Sequence, residues 1–354
     1  MSLPAPDAGS VLLAEIEQQP AALERLAANS PAFADVAAEI RRRGVRVLRL
    51  VAHGSSDNAA SYGVYAFGLL PGWTAVRDSI SLTVYYGAEI DVTDSCVIAL
   101  SQSGETPDVV EYLQIARRRG AYTVAVTNDP SSMLARAAES VLPLTAGPEQ
   151  AIAATKTYTT TVAALGLLAA HAAGRGDEFA DGIRATARTA TAWMPGLERR
   201  LRELAVSFAF VGRMFVIGRG IELATAREIS LKLLETCRVA AEPMTATDMV
   251  HGPVAALDTF FPVWAIASEE QSLAPVREAV ARARSAGAAI IASGTAAGEI
   301  EDADFYVPVP ETPFRLLSPL LSVVPGQIFA WALAQAKGLD PDRPSGLTKV
   351  TLTP

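Results

Sequence analysis

Residues 96–107, CVIALSQSGETP, combine three features in the order that decides the fold. A short apolar run ends at Leu100, a polar loop with one glycine follows, and Pro107 stands where a helix would begin. Proline is favoured in the first turn of a helix, where its missing N–H is not needed. The stretch therefore predicts a buried strand, a turn and a helix, with the loop at the carboxyl end of the strand.

Apolar runs of similar length recur along the chain, separated by longer helical patterns. They cover residues 47–52, 122–127 and 140–144 in the first half, and 214–218, 263–267, 288–292 and 305–309 in the second. Alternation of short strands with helices is typical of a layered α/β protein with a mainly parallel sheet.

The two halves resemble each other at a constant spacing. AHG at 52–54 corresponds to GRG at 218–220, VIALS at 97–101 to WAIAS at 264–268, and Gly120 to Gly287, each 166 or 167 residues apart. A constant spacing at three landmarks predicts a tandem duplication. We expect an N-terminal helical segment (1–45) with one or two helices outside the first sheet, a first domain (46–175), a helical connector (176–213), a second domain (214–338) and an irregular tail (339–354).

Composition excludes several classes of partner. The 354-residue chain carries a formal charge of −8, whereas nucleic acids and anionic membranes require a basic surface. The longest apolar candidate, residues 161–173, is short of the roughly 18 residues that a membrane span needs, so it predicts a buried helix. An N-terminus without signal-peptide order and two cysteines in apolar elements indicate a reducing, cytoplasmic location.

The loop at 101–106 has the features of an anion site without fixed positive charge. Helix N-termini offer free N–H groups and a favourable dipole, and the hydroxyls of Ser101, Ser103 and Thr106 and the amide of Gln102 add donors. Hydrogen bonds to a charged group contribute about 1.5–3 kcal/mol each, so several would hold a phosphate. The alternative is that Thr106 is only an N-cap and the serines only fill a turn.

Two other helix starts favour the phosphate hypothesis. Gly54, Ser55 and Ser56 follow the first apolar run, and the segment from Ala153 and Ala154 to Lys156 precedes another apolar helix. Three such starts at one sheet edge predict a phosphate pocket. Neither the Walker pattern nor the third glycine of the dinucleotide fingerprint is present, so we discount nucleotide binding.

A predicted helix at 221–238 places Glu228, Lys232 and Glu235 on one stripe. The alternative is an exposed helix with charge pairs for solubility. His251, one of three histidines, stands before Gly252 and Pro253 and would otherwise be a surface residue. Together these groups suit aldose–ketose interconversion, in which a carboxylate moves a proton between C1 and C2 and a histidine opens the sugar ring. This chemistry requires no metal or cofactor, and zinc-site spacings are absent from the sequence.

Several motifs resemble the sugar isomerase (SIS) family. They are SQSGET, AGPEQAIAATKTYTTT, GRG followed by EISLKLLETCRVAAE, HGPVAALD and the ending GLTKVTLTP, and they are similar to the paired SIS domains of glucosamine-6-phosphate synthase and of its stand-alone relatives. The resemblance implies two α/β domains, each a flavodoxin-like parallel sheet between helices. It also implies a phosphorylated aminosugar as ligand and a homodimer with composite active sites.

The resemblance further implies roles for individual residues. Phosphate binding falls to Ser55, Ser56, Ser101, Gln102, Ser103 and Thr106, and other substrate contacts to Gly54, Ala153, Ala154 and Glu228. Glu235 transfers the proton with help from Lys232, and His251 opens the ring, in the partner's site. Lys349 corresponds to the lysine with which the synthase forms an imine with fructose 6-phosphate.

Departures from the synthase pattern point to the stand-alone deaminase branch. The chain shows no glutaminase domain or N-terminal nucleophilic cysteine, Ala154 replaces a serine, and both the GSSDNA loop and the ending differ. We therefore expect hydrolysis of glucosamine 6-phosphate to fructose 6-phosphate and ammonia. The alternatives are a fructosamine-6-phosphate deglycase, a simple phosphosugar isomerase and a non-catalytic phosphosugar sensor.

Overall fold

The computed structural model describes residues 9–268, 272–301 and 303–349, which fall into two compact units. The first-sheet unit contains residues 18–149 and 156–187 together with Thr348 and Lys349. The second-sheet unit contains the described residues of the ranges 1–17, 150–155 and 188–347. The domain boundaries expected from the sequence stay a prediction.

From residue 9 onward, three helices rather than one or two precede the first strand: α1 (Ser10–Glu17), α2 (Gln19–Ala28) and α3 (Ser30–Arg42). Helices α2 and α3 pack within the first-sheet unit, as expected. Helix α1 belongs instead to the second-sheet unit, where the N–H groups of Val11 and Leu12 donate to the carboxylate of Asp342. The expectation that the whole segment packs outside the first sheet was therefore wrong for α1, because the carboxylate that caps its N–H groups lies in the distant tail.

The first sheet has five parallel strands in the order β2-β1-β3-β4-β5, the flavodoxin order. Its elements after α3 are β1 (Val47–Val51), α4 (Gly54–Leu69), β2 (Thr74–Arg77), α5 (Ile80–Val84), β3 (Ser95–Leu100), α6 (Pro107–Arg118), β4 (Tyr122–Thr127), α7 (Met133–Ala137), β5 (Ser140–Pro143) and α8 (Lys156–Ala172). Apolar residues of β3 and β4 pack against α6 and α7. Helices α4 and α8 pack against each other.

The second sheet repeats this strand order, β7-β6-β8-β9-β10, again in parallel. Helices α9 (Gly176–Trp193) and α10 (Leu197–Ser207) precede it. The sheet unit continues with β6 (Arg213–Gly218), α11 (Glu222–Cys237), β7 (Ala240–Thr245), α12 (Ala246–Val250), β8 (Val263–Ile266), α13 (Leu273–Ser285), β9 (Ile290–Gly294), β10 (Phe305–Pro308) and α14 (Ser318–Ala336). The fold predicted from the duplication, two α/β domains with parallel sheets, is confirmed.

Among the described residues, the helical stretch that is long and apolar enough to span a membrane is Arg315–Ala336, which includes α14, and not residues 161–173, which the sequence had suggested as the longest candidate. By length and composition this stretch could cross a membrane, but its most apolar window is entirely buried inside the protein. Core helices of globular proteins pass the same test, and α14 packs against α10 and α11 within its own unit. The apolar character of α14 therefore fits a core helix.

Each unit contains one buried cysteine. Cys96 lies in β3 and Cys237 ends α11, and both are fully buried and free of disulfide. Burial raises the pKa of both thiols, to about 12 for Cys237, whose Sγ also donates to the carbonyl oxygen of Ala330 at 2.9 Å. Both side chains are core residues, as the sequence predicted.

Candidate functional site

The polar loop at 101–106 follows β3 at the carboxyl edge of the first sheet. Thr106 occupies the N-cap position of α6, but its side chain makes no capping hydrogen bond there. Its hydroxyl lies 3.0 Å from the hydroxyl of Ser101, which also accepts a hydrogen bond from the N–H of Gly104 at 3.1 Å. The alternative that Thr106 serves only as an N-cap is not supported, since its hydroxyl is used inside the loop.

Neighbouring backbone holds this loop in place. The N–H of Asn128 donates to the carbonyl of Gln102 at 3.1 Å, and the N–H of Leu134 to that of Gly104 at 2.9 Å. Gly104 has a φ of 66°, and a Cβ at this position would lie 2.0 Å from the Oγ of Ser132. The loop is thus a fixed structure that only glycine permits at its centre.

The second predicted phosphate segment forms the first turn of α4. Gly54 has a φ of 55° and begins the helix, and Ser55 and Ser56 follow as partly buried residues. His53, immediately before them, has its Nε2 2.7 Å from Oδ2 of Asp108, which lies in the first turn of α6. This contact joins the residue before α4 to the first turn of α6. Sequence reasoning missed it, because nothing local pairs residues 55 positions apart.

The third predicted segment divides between the two units. Ala153 and Ala154 lie in the coil of residues 150–155, which belongs to the second-sheet unit, and Ala153 is fully buried. Lys156 begins α8 in the first-sheet unit, where its buried ammonium donates to Gln18 Oε1 at 2.6 Å and to the Pro148 carbonyl. The expected place of Ala153 and Ala154 beside the substrate stays a prediction.

The charged stripe on α11 is mostly buried. Nζ of Lys232 lies 3.2 Å from Oε1 of Glu228 and 2.7 Å from Oε2 of Glu235, and the side chains of Glu228 and Lys232 are almost wholly inaccessible. Burial alone would lower the pKa of Lys232, but the charges of Glu228 and Glu235 outweigh it and raise the pKa. The alternative of an exposed, solubilising helix face is wrong. Two carboxylates therefore lie against one ammonium.

Glu235 is the accessible member of this group, with 22% of its side chain exposed. It lines a pocket of about 320 Å³ between the end of α11 and the tail, together with Arg238, Asp340 and Arg343. Neither guanidinium pairs with another residue that the structure describes. A ligand in this pocket would meet one carboxylate of the charged group and two available arginines.

The remaining two predicted catalytic residues lie in different settings. His251 directly follows α12 and is exposed, and its ring bonds to no other described residue, so its role stays a prediction. Nζ of Lys349 lies 3.0 Å from Oε2 of Glu149, a buried carboxylate that also accepts from the backbone N–H and the hydroxyl of Thr157. The role expected for Lys349 stays a prediction.

Within residues 9–268, 272–301 and 303–349, no group of three or more His, Cys, Asp and Glu side chains is arranged to hold a metal ion.

Comparison with known proteins shows the family to which the chain belongs. The SIS domain family matches residues 44–171 and 208–336. A glutamine–fructose-6-phosphate aminotransferase (isomerizing) of Pyrococcus horikoshii is 32% identical over 344 residues, which cover 96% of this chain and 57% of that protein. The chain thus spans somewhat over half the length of this curated relative.

Two solved structures share the architecture. The C-terminal domain of glucosamine-fructose-6-phosphate aminotransferase from Francisella tularensis has a TM-score of 0.84 at 24% identity, covering 93% of this chain and 97% of that one. A Silicibacter pomeroyi protein assigned as a phosphosugar isomerase has a TM-score of 0.78 at 30% identity, with coverages of 93% and 99%.

Proposed function

Because the chain belongs to the SIS domain family, we propose that it binds a phosphorylated sugar and moves a proton between C1 and C2 of that sugar. The reaction that we favour converts glucosamine 6-phosphate and water to fructose 6-phosphate and ammonia. The observation that carries the proposal is the charged group on α11. Its buried Glu228–Lys232 pair leaves Glu235 as a carboxylate with one accessible face on a pocket.

The phosphate is assigned to the hydroxyl-rich loops of the first-sheet unit, which are Ser55, Ser56, Ser101, Gln102, Ser103 and Thr106. The support for this assignment is that the loop around Ser101 is held by backbone hydrogen bonds before any ligand binds. A fixed array of donors loses little entropy on binding, which favours affinity.

The chemistry follows from the accessible carboxylate. His251 moves the proton that opens the sugar ring. Glu235 then removes the proton from C2 while the C1 oxygen takes up a proton from water, which gives an enolamine. The same carboxylate returns the proton to C1, which leaves an imine at C2. Water adds to that imine and ammonia departs, so fructose 6-phosphate remains. Lys232 stays charged at 2.7 Å from Glu235 and stabilises the carboxylate form that accepts the proton.

Glucosamine 6-phosphate is the test substrate, with ammonia and fructose 6-phosphate both measured. We expect Glu235→Gln to lower kcat by roughly 10²–10⁴-fold with little change in KM, because the amide cannot carry a proton. Glu242→Gln is the matched control, since Glu242 is exposed on β7 of the same unit. Full activity in Glu235→Gln would contradict the mechanism. Isomerised sugar phosphate without ammonia would overturn the deaminase reaction but leave the isomerase assignment.

A second candidate, a fructosamine-6-phosphate deglycase, is favoured by the pocket beside Glu235. A pocket of about 320 Å³ with Arg238, Arg343 and Asp340 suits the carboxylate and amine of an amino acid attached to the sugar nitrogen. The same assay decides between the two candidates when fructosamine 6-phosphates of amino acids are included. Release of the free amino acid at a higher kcat/KM than release of ammonia would favour the deglycase.

A further inference from the structure

A second hydroxyl cluster lies in the second-sheet unit, and it surrounds a buried carboxyl group. Glu222, the first residue of α11, is only 1% exposed. Its Oε1 accepts hydrogen bonds from the hydroxyls of Ser318 at 2.6 Å, Ser268 at 2.9 Å and Ser322 at 3.1 Å. Its Oε2 accepts one from the hydroxyl of Thr225 at 2.7 Å. No lysine or arginine of the described chain pairs with this carboxylate.

The residues of this cluster come from the same places in the fold as the predicted phosphate-binding segments of the first repeat. Ser268 follows β8 as Ser101 follows β3, and Glu222 stands in the first turn after β6 at the repeat position of Ser56. Ser318 begins α14, the helix after the last strand of its sheet, as Lys156 begins α8. The fold thus gathers three polar segments at the carboxyl ends of the second sheet's central strands.

The charge balance at this cluster favours an anion over any other occupant. A buried carboxylate without a cation is costly unless hydrogen bonds replace its hydration, and here four hydroxyls do so. Glu222 lies in the first turn of α11 and Ser318 in the first turn of α14, so both helix dipoles favour negative charge at this point.

We propose that the second repeat contains an anion-binding crevice equivalent to that of the first and fills it with the carboxylate of its own Glu222. One sugar phosphate then binds per chain, at the first repeat. This stoichiometry rests on the proposed function, whereas the role of Glu222 does not.

The decisive variant is Glu222→Ala, which removes a methylene and a carboxylate that acetate can replace. We expect the thermal midpoint to fall by about 5–10 °C, because four buried hydroxyls lose their acceptor. Acetate at about 50 mM should restore several degrees, and acetamide at the same concentration should not, since only acetate supplies the charge. Glu203→Ala on the exposed face of α10 is the control and should respond to neither additive.

A second variant covers the case in which Glu222→Ala does not fold. Glu222→Gln keeps the shape of the side chain and removes its charge, so its midpoint should also lie below that of the wild type. A Glu222→Gln protein as stable as the wild type, or equal rescue of Glu222→Ala by acetamide, would overturn the assignment of an anion site.

Calorimetric titration with a hexose phosphate tests the stoichiometry separately. One molecule per wild-type chain is expected, and two would contradict the filled second crevice. Absence of both binding and turnover would defeat the proposed function, while rescue by acetate would still establish the role of Glu222.

Discussion

Two buried carboxylates of α11 are stabilised in different ways. Glu228 shares the ammonium of Lys232, whereas Glu222 has only neutral hydroxyls around it. The first arrangement can transmit a change of charge to Glu235, because Lys232 touches both carboxylates. Glu222 contacts no second charged side chain in the part of the chain that the structure describes, so a change at Glu222 has no such route to Glu235. This difference is why we assign catalysis to one end of the helix and a structural anion to the other.

Replacing Lys232 by methionine should destabilise the protein strongly. Glu228 would lose the ammonium that it faces inside the protein, and loss of one partner of a buried pair costs about 3–5 kcal/mol. Urea unfolding measures this loss, and the double variant Glu228→Gln with Lys232→Met should recover part of it. A single variant within about 1 kcal/mol of the wild type would contradict the burial of this pair.

Lys232 should also make the stability of the protein depend on pH. The pKa of Lys232 is raised in the folded protein, so the pair contributes stability below the ordinary lysine value of about 10.4. That stability is lost as the pH rises through the folded-state value. The loss of folding stability at alkaline pH should therefore be smaller in Lys232→Met than in the wild type. Unfolding by urea at a series of pH values measures this difference.

At the scale of elements, apolar runs were sufficient to predict eight of the ten strands found in the described part of the chain. The two missed strands, β2 and β7, pair with only one neighbour each at corresponding edges of their sheets. Strand β2 is mostly exposed and β7 is mostly half-buried, so neither needs an apolar run, and sequence alone gives no sign of them. The candidate site shows the same limit. The loop of Ser101 was predictable from local chemistry, whereas the contact of His53 with Asp108 and the tail beside Glu235 depend on the tertiary fold.

The loop after β3 should depend on the absence of a side chain at Gly104. In Gly104→Ala the new Cβ would collide with Ser132, so both stability and affinity for a hexose phosphate should fall. Gly44→Ala is the matched control, since Gly44 has a similar φ of 63° but no atom within 4 Å of its Cβ position. The control variant should lose only about 1–2 kcal/mol of stability, from backbone strain, and should bind the ligand as the wild type does. Equal effects of the two variants on binding would contradict the collision.

For the whole molecule, the proposed phosphate site is unusual in its charge. The chain carries a formal charge of −8, and the loop at 101–106 contains no lysine or arginine. A phosphate dianion is then held by dipoles at short range and repelled by the net charge at long range. Salt screens the long-range repulsion by the net charge much more than the short-range attraction by the dipoles.

Ionic strength should therefore have an unusual effect on ligand affinity. Raising it from about 0.02 to 0.3 M should leave the affinity for a hexose phosphate unchanged or increase it slightly, because repulsion is screened first. Titration calorimetry in a salt with a bulky anion measures this without competition for the loop. A tenfold loss of affinity would show that a cationic group carries the binding instead.

The buried cysteines give each unit its own chemical reporter. Cys96 and Cys237 are fully inaccessible, and their thiols carry raised pKa values, so a thiol reagent can react with them only when the surrounding structure opens. One cysteine lies in each unit, and mass spectrometry distinguishes the two labelled peptides. Labelling rates under native conditions would thus give the opening free energy of each sheet separately, in the unmodified protein.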